Sequence, residues 1–176
     1  PFSALFEISG FKLDYNSWFI NETARQAQKT LQNHIGEFHQ KVLGSVANWK
    51  DLQTGQIIDL ESKKHNTIAE VKNKYNTVKG SNQINIYREL ENLVMDKNSI
   101  YHGYTAYYVT VIPKSSKRFN TEFTPSDNKK GNKCPANPLI RKIDGASFYD
   151  LVTGESNSLE QLFDYLPEIL KAHNKI

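Results

Sequence analysis

The nine residues 104–112, YTAYYVTVI, leave this chain few folds to choose from. Consecutive β-branched and aromatic side chains favour an extended strand, and a run this apolar is expected to be buried. Pro113 closes it, since proline has no N–H to continue a ladder. Residues 17–46 read instead as a long helix, with Ala24, Ala27, Leu31, Ile35, Phe38 and Val42 recurring at three- and four-residue spacing. Gly36 falls inside it and marks a bend or a close approach. The helical period returns over 82–95 through Ile84, Tyr87, Leu90 and Val94, with Ser81 as the expected cap. Between these helices, 55–60 (GQIIDL) and 67–72 (TIAEVK) are short strands joined by a polar turn from Glu61 to Asn66.

Beyond Pro113, residues 114–138 are polar, basic and proline-containing, and read as a long functional loop. Residues 139–143 (LIRKI) form another strand. GASFYDLVTG then reads as a short helix ending at Gly154. Ser158 and Gln161 have capping-box spacing for a last helix, which Pro167 is expected to split or bend. No repeat or linker interrupts the order. The expectation is a single mixed α/β domain over 1–176.

At 176 residues the chain can bury roughly two-thirds of its unfolded surface. Its hydrophobic content of 38% argues against disorder. No apolar run approaches the ~18–20 residues of a membrane span, and nothing resembles a signal peptide, so no membrane partner is expected. A lone cysteine, Cys134, excludes an internal disulfide framework and fits a reducing, cytoplasmic compartment. The chain starts at Pro1, which suggests a processed product or a fragment lacking its first residues.

Charge is uneven. Residues 114–142 hold eight basic side chains against Glu122 and Asp127, a local +6 within a net +3, so the remainder carries −3. A basic segment on a slightly acidic body suits either an anionic partner such as nucleic acid or a plain solvated loop.

The chemistry concentrates in TIAEVKNKYNT, residues 67–77. In a strand Glu70 and Lys72 share a face. A turn centred between Lys64 and His65 makes paired residue numbers sum to 129, which sets Asp59 opposite Glu70 with Cβ atoms roughly 5 Å apart. Two carboxylates that close repel each other and raise their pKa values unless a cation sits between them. Mg²⁺ suits such a pair, since it takes one or two carboxylates and completes its shell with water and phosphate oxygens. Lys72 would stand beside the ion, placed to orient an attacking water. An acidic residue two before a lysine is common by chance, and occurs also at Glu61/Lys63 and Asp127/Lys129. Only Glu70/Lys72 lies in an apolar, β-branched context with an aspartate at hairpin distance. The bland alternative is a half-exposed strand bearing a surface ion pair worth ~0–1 kcal/mol.

Asp59 followed by Glu70-Val71-Lys72 resembles the PD-(D/E)xK nuclease motif. The continuation Asn73-Lys74-Tyr75-Asn76-Thr77, the stretch GEFHQKVLGSV (36–46) and LIRKIDGASFYDLVTG (139–154) are similar to segments of type II restriction endonucleases, in particular those that cut GGNCC. The resemblance runs from Asn16 to Leu170. It implies a restriction-endonuclease-like core, a mixed sheet flanked by helices. It also implies Mg²⁺-dependent hydrolysis of double-stranded DNA, with Mn²⁺ as a substitute, and a homodimer matched to a palindromic site. On this resemblance Asp59 and Glu70 are metal ligands with the Val71 carbonyl beside them, Lys72 is the water-positioning base, and Glu37 is preferred over Glu22 as a further carboxylate. Ile58 stands where the motif's name has proline. The enzymes it resembles are longer, which leaves room for N-terminal residues absent from this chain.

Other features add less. The histidines have no paired metal-ligand spacing, which makes zinc a poor expectation, and no nucleotide-binding loop occurs, so no nucleotide cofactor is expected. His39 reads as a helix-surface histidine. Lys129, Lys130, Asn132 and Lys133 lie in a lysine- and asparagine-rich loop that can read base edges or simply hold phosphates. Lys74, Asn76 and Thr77 are expected to grip DNA near the scissile bond. Two alternatives stay open: a structure-specific or repair nuclease with the same core, and a non-catalytic DNA-binding domain.

Overall fold

The computed structural model describes residues 2–53, 57–127 and 131–173, without the His173 side chain. The chain divides into two compact units, Pro1–Glu37 and Phe38–Ile176.

The first unit holds α1 (Phe2–Phe11) and most of α2 (Tyr15–Gly44). α1 was not expected, because it carries apolar side chains almost all round and shows no clear period. Lys12 adopts a left-handed φ of 51° after it. Asp14 then caps α2, its carboxylate accepting from the Ser17 N–H at 3.0 Å and the Ser17 hydroxyl at 2.6 Å. No residue of α1 is buried.

The second unit is built on a six-stranded sheet in the order β1-β2-β3-β4-β8-β5. Its strands are β1 (Lys50–Asp51), β2 (Leu60–Ser62), β3 (Thr67–Lys74), β4 (Thr105–Ile112), β5 (Asn120–Glu122) and β8 (Ile140–Asp144). β3, β4 and β8 run parallel at the centre, and antiparallel pairs flank them. The sheet is therefore mixed, as expected. β3 reaches β4 through α3 (Gly80–Met95), and β8 leads directly into α4 (Gly145–Thr153) and α5 (Ser158–His173).

Both faces of the central strands are covered, which is why they read as nearly continuous apolar runs. On one face Ile84, Tyr87, Leu90 and Val94 of α3 pack with Ile68, Ala106, Tyr108 and Ile140. On the other, Phe148, Tyr149 and Val152 of α4 pack with Leu43, Trp49, Ala69, Val71, Val109 and Ile143.

Several local expectations change. Ser81 is not the cap of α3: the cap position is Lys79, without a side-chain bond, and Ser81 lies within the first turn. Ser158 opens α5, and its hydroxyl donates back to the Glu155 carbonyl at 2.9 Å instead of capping forward. α5 continues through Pro167. The segment 114–138 is not structureless: it holds β5 and a two-stranded ribbon, β6 (Ser126–Asp127) with β7 (Asn132–Lys133). Gly154 ends α4 with a φ of 77°, as its position predicted.

Asp144 ties β8 to α4. Its carboxylate is buried and accepts from the Ser147 N–H at 2.9 Å and the Phe119 N–H at 2.6 Å. Asp144→Ala strips a helix cap and strands a second amide. We expect a loss of about 2 kcal/mol in urea unfolding. A change below about 0.5 kcal/mol would show that water replaces both bonds.

Candidate active site

Parallel strands in register set their partners on the same side of the sheet. On the α3 face this produces rows. Ile68, Ala106 and Ile140 form an apolar row, fully buried. One step further along the strands the row becomes Glu70, Tyr108 and Lys142, and the next is Lys72, Thr110 and Asp144. The face thus switches from apolar to polar along the strands.

Asp59 joins this polar end from outside the strand. The β2–β3 pairs are Leu60↔Ala69, Glu61↔Ile68 and Ser62↔Thr67, the register that the turn position predicts. Of the expected strand 55–60, residues 55 and 56 lie outside the described residues, and of 57–60 only Leu60 pairs as a strand, while Asp59 lies in a bend. Its N–H donates to the Ala69 carbonyl at 2.9 Å, and its Oδ2 accepts the Val71 N–H at 2.7 Å. The aspartate side chain thereby takes over an amide that the ladder no longer satisfies. Since the N–H and C=O of a strand residue face the same side, the Val71 carbonyl faces the same edge as Asp59.

The Asp59 and Glu70 carboxyl groups are close enough to share a hydrogen bond, and Glu70 is ion-paired with Lys72. Glu70 is only 9% exposed. Burial, and next the negative charge of Asp59, push its pKa up to about 7, against the opposing pull of the Lys72 ammonium. Near neutral pH this carboxyl is poised between its two forms. Tyr108, beside it in register, is pushed up to about 12 by burial and by the Glu70 charge, and its buried hydroxyl has no hydrogen-bond partner among the described residues.

Among the described residues no group of three or more His, Cys, Asp or Glu side chains is placed to hold a metal ion. The Asp59–Glu70 pair with the Val71 carbonyl is an all-oxygen set, which suits a hard divalent cation that fills its shell with water and phosphate oxygens. A cation there would relieve the crowding that raises Glu70. Glu37 enters no such group. It lies exposed on α2 with its Oε2 3.8 Å from His34 Nδ1.

The other expected contacts are spread out. Lys74 closes a turn in which its N–H donates to the Thr77 hydroxyl at 3.2 Å and the Thr77 N–H returns to the Lys74 carbonyl at 3.1 Å. This turn exposes Asn76 and Thr77 at the polar end of β3. Asn132 and Lys133 are exposed on the β6–β7 ribbon. That ribbon is moored to α3 by the Arg88–Asp127 ion pair at 3.1 Å. Lys129 and Lys130 lie outside the described residues. His39 is not a surface histidine: its Nδ1 is 2.8 Å from the Tyr149 hydroxyl, and burial lowers its pKa. The sequence reading missed the row Tyr108–Lys142, although the alternation Ile140, Lys142, Asp144 in LIRKID could have revealed it.

The model of the Eco47II restriction endonuclease family matches residues 1–173. The chain is 49% identical over 171 residues to the type II restriction enzyme Eco47II of Escherichia coli, covering 97% of this chain and 71% of that enzyme. It is 28% identical over 169 residues to the type II restriction enzyme Sau96I of Staphylococcus aureus, covering 94% of this chain and 63% of that enzyme. No solved structure matches it significantly. With the family match running the length of the nuclease-like sheet, the chain belongs to the Eco47II restriction endonucleases and is a type II restriction enzyme acting on DNA.

Proposed function

We propose that this enzyme hydrolyses phosphodiesters of double-stranded DNA at GGNCC with Mg²⁺, or Mn²⁺ in its place, and that Asp59, Glu70 and Lys72 carry the reaction. One observation carries the assignment: two carboxylates share a buried corner, one raised to about 7, with an ammonium beside them. Asp59 and Glu70, with the Val71 carbonyl, would hold the ion. When bound, it polarises the scissile phosphate and lowers the pKa of the attacking water. Asp59 is oriented by the Val71 N–H, so its carboxylate has a fixed direction. Lys72, held by Glu70, orients the attacking water as an ammonium, and the proton the water gives up passes to solvent. The water oxygen bonds to phosphorus as the bond to the 3′ oxygen breaks, and that oxygen leaves with a proton. The ends are a 5′-phosphate and a 3′-hydroxyl.

In this reading Lys74, Asn76 and Thr77 grip the backbone of the strand being cut, while Asn132 and Lys133 reach toward base edges. Lys129 and Lys130 are proposed to join them, and Glu37 is the proposed further carboxylate. The enzyme acts as a homodimer, which the exposed Phe2, Leu5, Phe6 and Phe11 of α1 support. A single cysteine accords with a cytoplasmic setting.

The test is digestion of a fully sequenced phage DNA with Mg²⁺, using wild type beside Lys72→Ala. Wild type should give discrete fragments with ends mapping to GGNCC. Lys72→Ala should cut roughly 10³-fold more slowly or worse. Undiminished cleavage by the variant would remove Lys72 from the chemistry, and an unresolved smear from wild type would contradict a fixed site.

A further inference from the structure

The first polar row of the sheet contains a cation that the chemistry above does not use. Lys142 lies two strands from Glu70, on the same face, with Tyr108 between them. Its Nζ sits 6.0 Å from the ring centre of Tyr108 and 6.0 Å from that of Phe119. The Tyr108 ring is itself fixed by stacking on Phe123, with centres 4.7 Å apart and planes 9° apart. No described carboxylate forms an ion pair with Lys142, although Lys72 and Arg88 each have one and Arg118 has two. The nearest acidic neighbour on its own strand, Asp144, spends its carboxylate on two backbone amides.

Aromatic faces hold an ammonium in place without cancelling its charge. Burial, meanwhile, works against that charge and lowers the pKa of Lys142. A half-buried lysine held this way is a liability to the fold unless an anion arrives. We propose that Lys142 is a DNA-phosphate-binding residue, taking a backbone phosphate next to the one addressed by Lys72. The spacing fits: two strand steps and an offset of two residues along the strand separate the two lysine backbones by about 12 Å, so their ammonium groups meet different phosphates of one strand. This rests on placing the hydrolytic centre at Asp59, Glu70 and Lys72. The contact positions the backbone and carries no sequence information.

The experiment compares Lys142→Met, Lys142→Arg and Lys72→Ala, measuring binding to a duplex carrying the mapped site at several salt concentrations, with Ca²⁺ replacing Mg²⁺. Lys142→Met should weaken binding by ~10-fold at low salt and reduce the slope of log Kd against log salt by about 1, while Lys142→Arg restores the slope. The thermal midpoint of Lys142→Met should hold or rise, because an uncompensated charge has left a half-buried position. An unchanged salt slope overturns the proposal. So does a midpoint that falls together with binding, which would assign Lys142 to the fold. If Lys72→Ala still cleaves, the hydrolytic centre has been misplaced, yet the Lys142 slope still reports whether a phosphate is held there.

Discussion

Glu70→Gln should abolish cleavage and, in the same protein, raise stability in the absence of metal. The two effects share one cause. Glu70 is buried beside Asp59, and both facts favour its protonated form. Its pKa rises from the ordinary 4.5 to about 7 on folding. A carboxyl raised in this way binds more protons in the folded than in the unfolded state between those values. Its contribution is therefore fully present below pH 4.5 and is lost as pH rises through 7. A shift of that size corresponds to about 3 kcal/mol as an upper bound. Glutamine never ionises and escapes the loss, but it leaves Lys72 without its counter-charge, so the net gain should be about 1–2 kcal/mol at pH 8. Urea titrations of metal-free protein from pH 4 to 8 should show the two curves diverging as pH rises. Added Mg²⁺ should recover stability for wild type and do little for the variant. Cleavage should fall roughly 10³-fold or more, since a ligand and the partner of Lys72 are lost together. A stability difference that stays flat across this pH range would mean that Glu70 titrates normally, and the strained carboxylate pair would have to be abandoned.

Gly145→Ala should be among the most damaging single methyl additions in the chain. A Cβ at Gly145 would lie 2.5 Å from the Val111 carbonyl oxygen and 2.6 Å from the Val111 Cα. Those atoms are backbone of β4, which is bonded on both sides to β3 and β8 and has no room to retreat. The helix must move instead. α4 carries Phe148, Tyr149 and Val152, which fill the core on that face, with Phe148 packed at 5.7 Å from Trp49 and 5.8 Å from Tyr107 between ring centres. Shifting the helix opens gaps around all three. We expect a loss of about 3 kcal/mol and a thermal midpoint lower by roughly 6–12 °C. Retention of the wild-type midpoint would show that the β8–α4 junction has slack that its geometry conceals.

Much of this was legible in the residues because local chemistry set it. The run YTAYYVTVI had to be a covered strand, and it is the central β4. Three pairs of β2 and β3 obey the register read from a polar turn, because a turn and a pleat of period two leave little choice. Glu70 and Lys72 share a face for the same reason. Other features depended on where the chain stopped obeying local rules. Asp59 was expected in a strand, yet it reaches the site from a bend, held there by the Val71 amide. Ser81 and Ser158 have the chemistry of caps, but neither terminus used it. The row Glu70–Tyr108–Lys142 joins three strands whose residues are far apart in the chain, and only parallel pairing brings them level.

By itself, then, the sequence determined the central strands, most of the helices and the carboxylate–lysine spacing, since each follows from side-chain period and turn position over a few residues. The tertiary structure alone decided the pKa of Glu70, the route by which Asp59 arrives and the uncancelled charge of Lys142. Burial, bends and the alignment of distant strands are properties of the packed sheet, and no short stretch of sequence contains them.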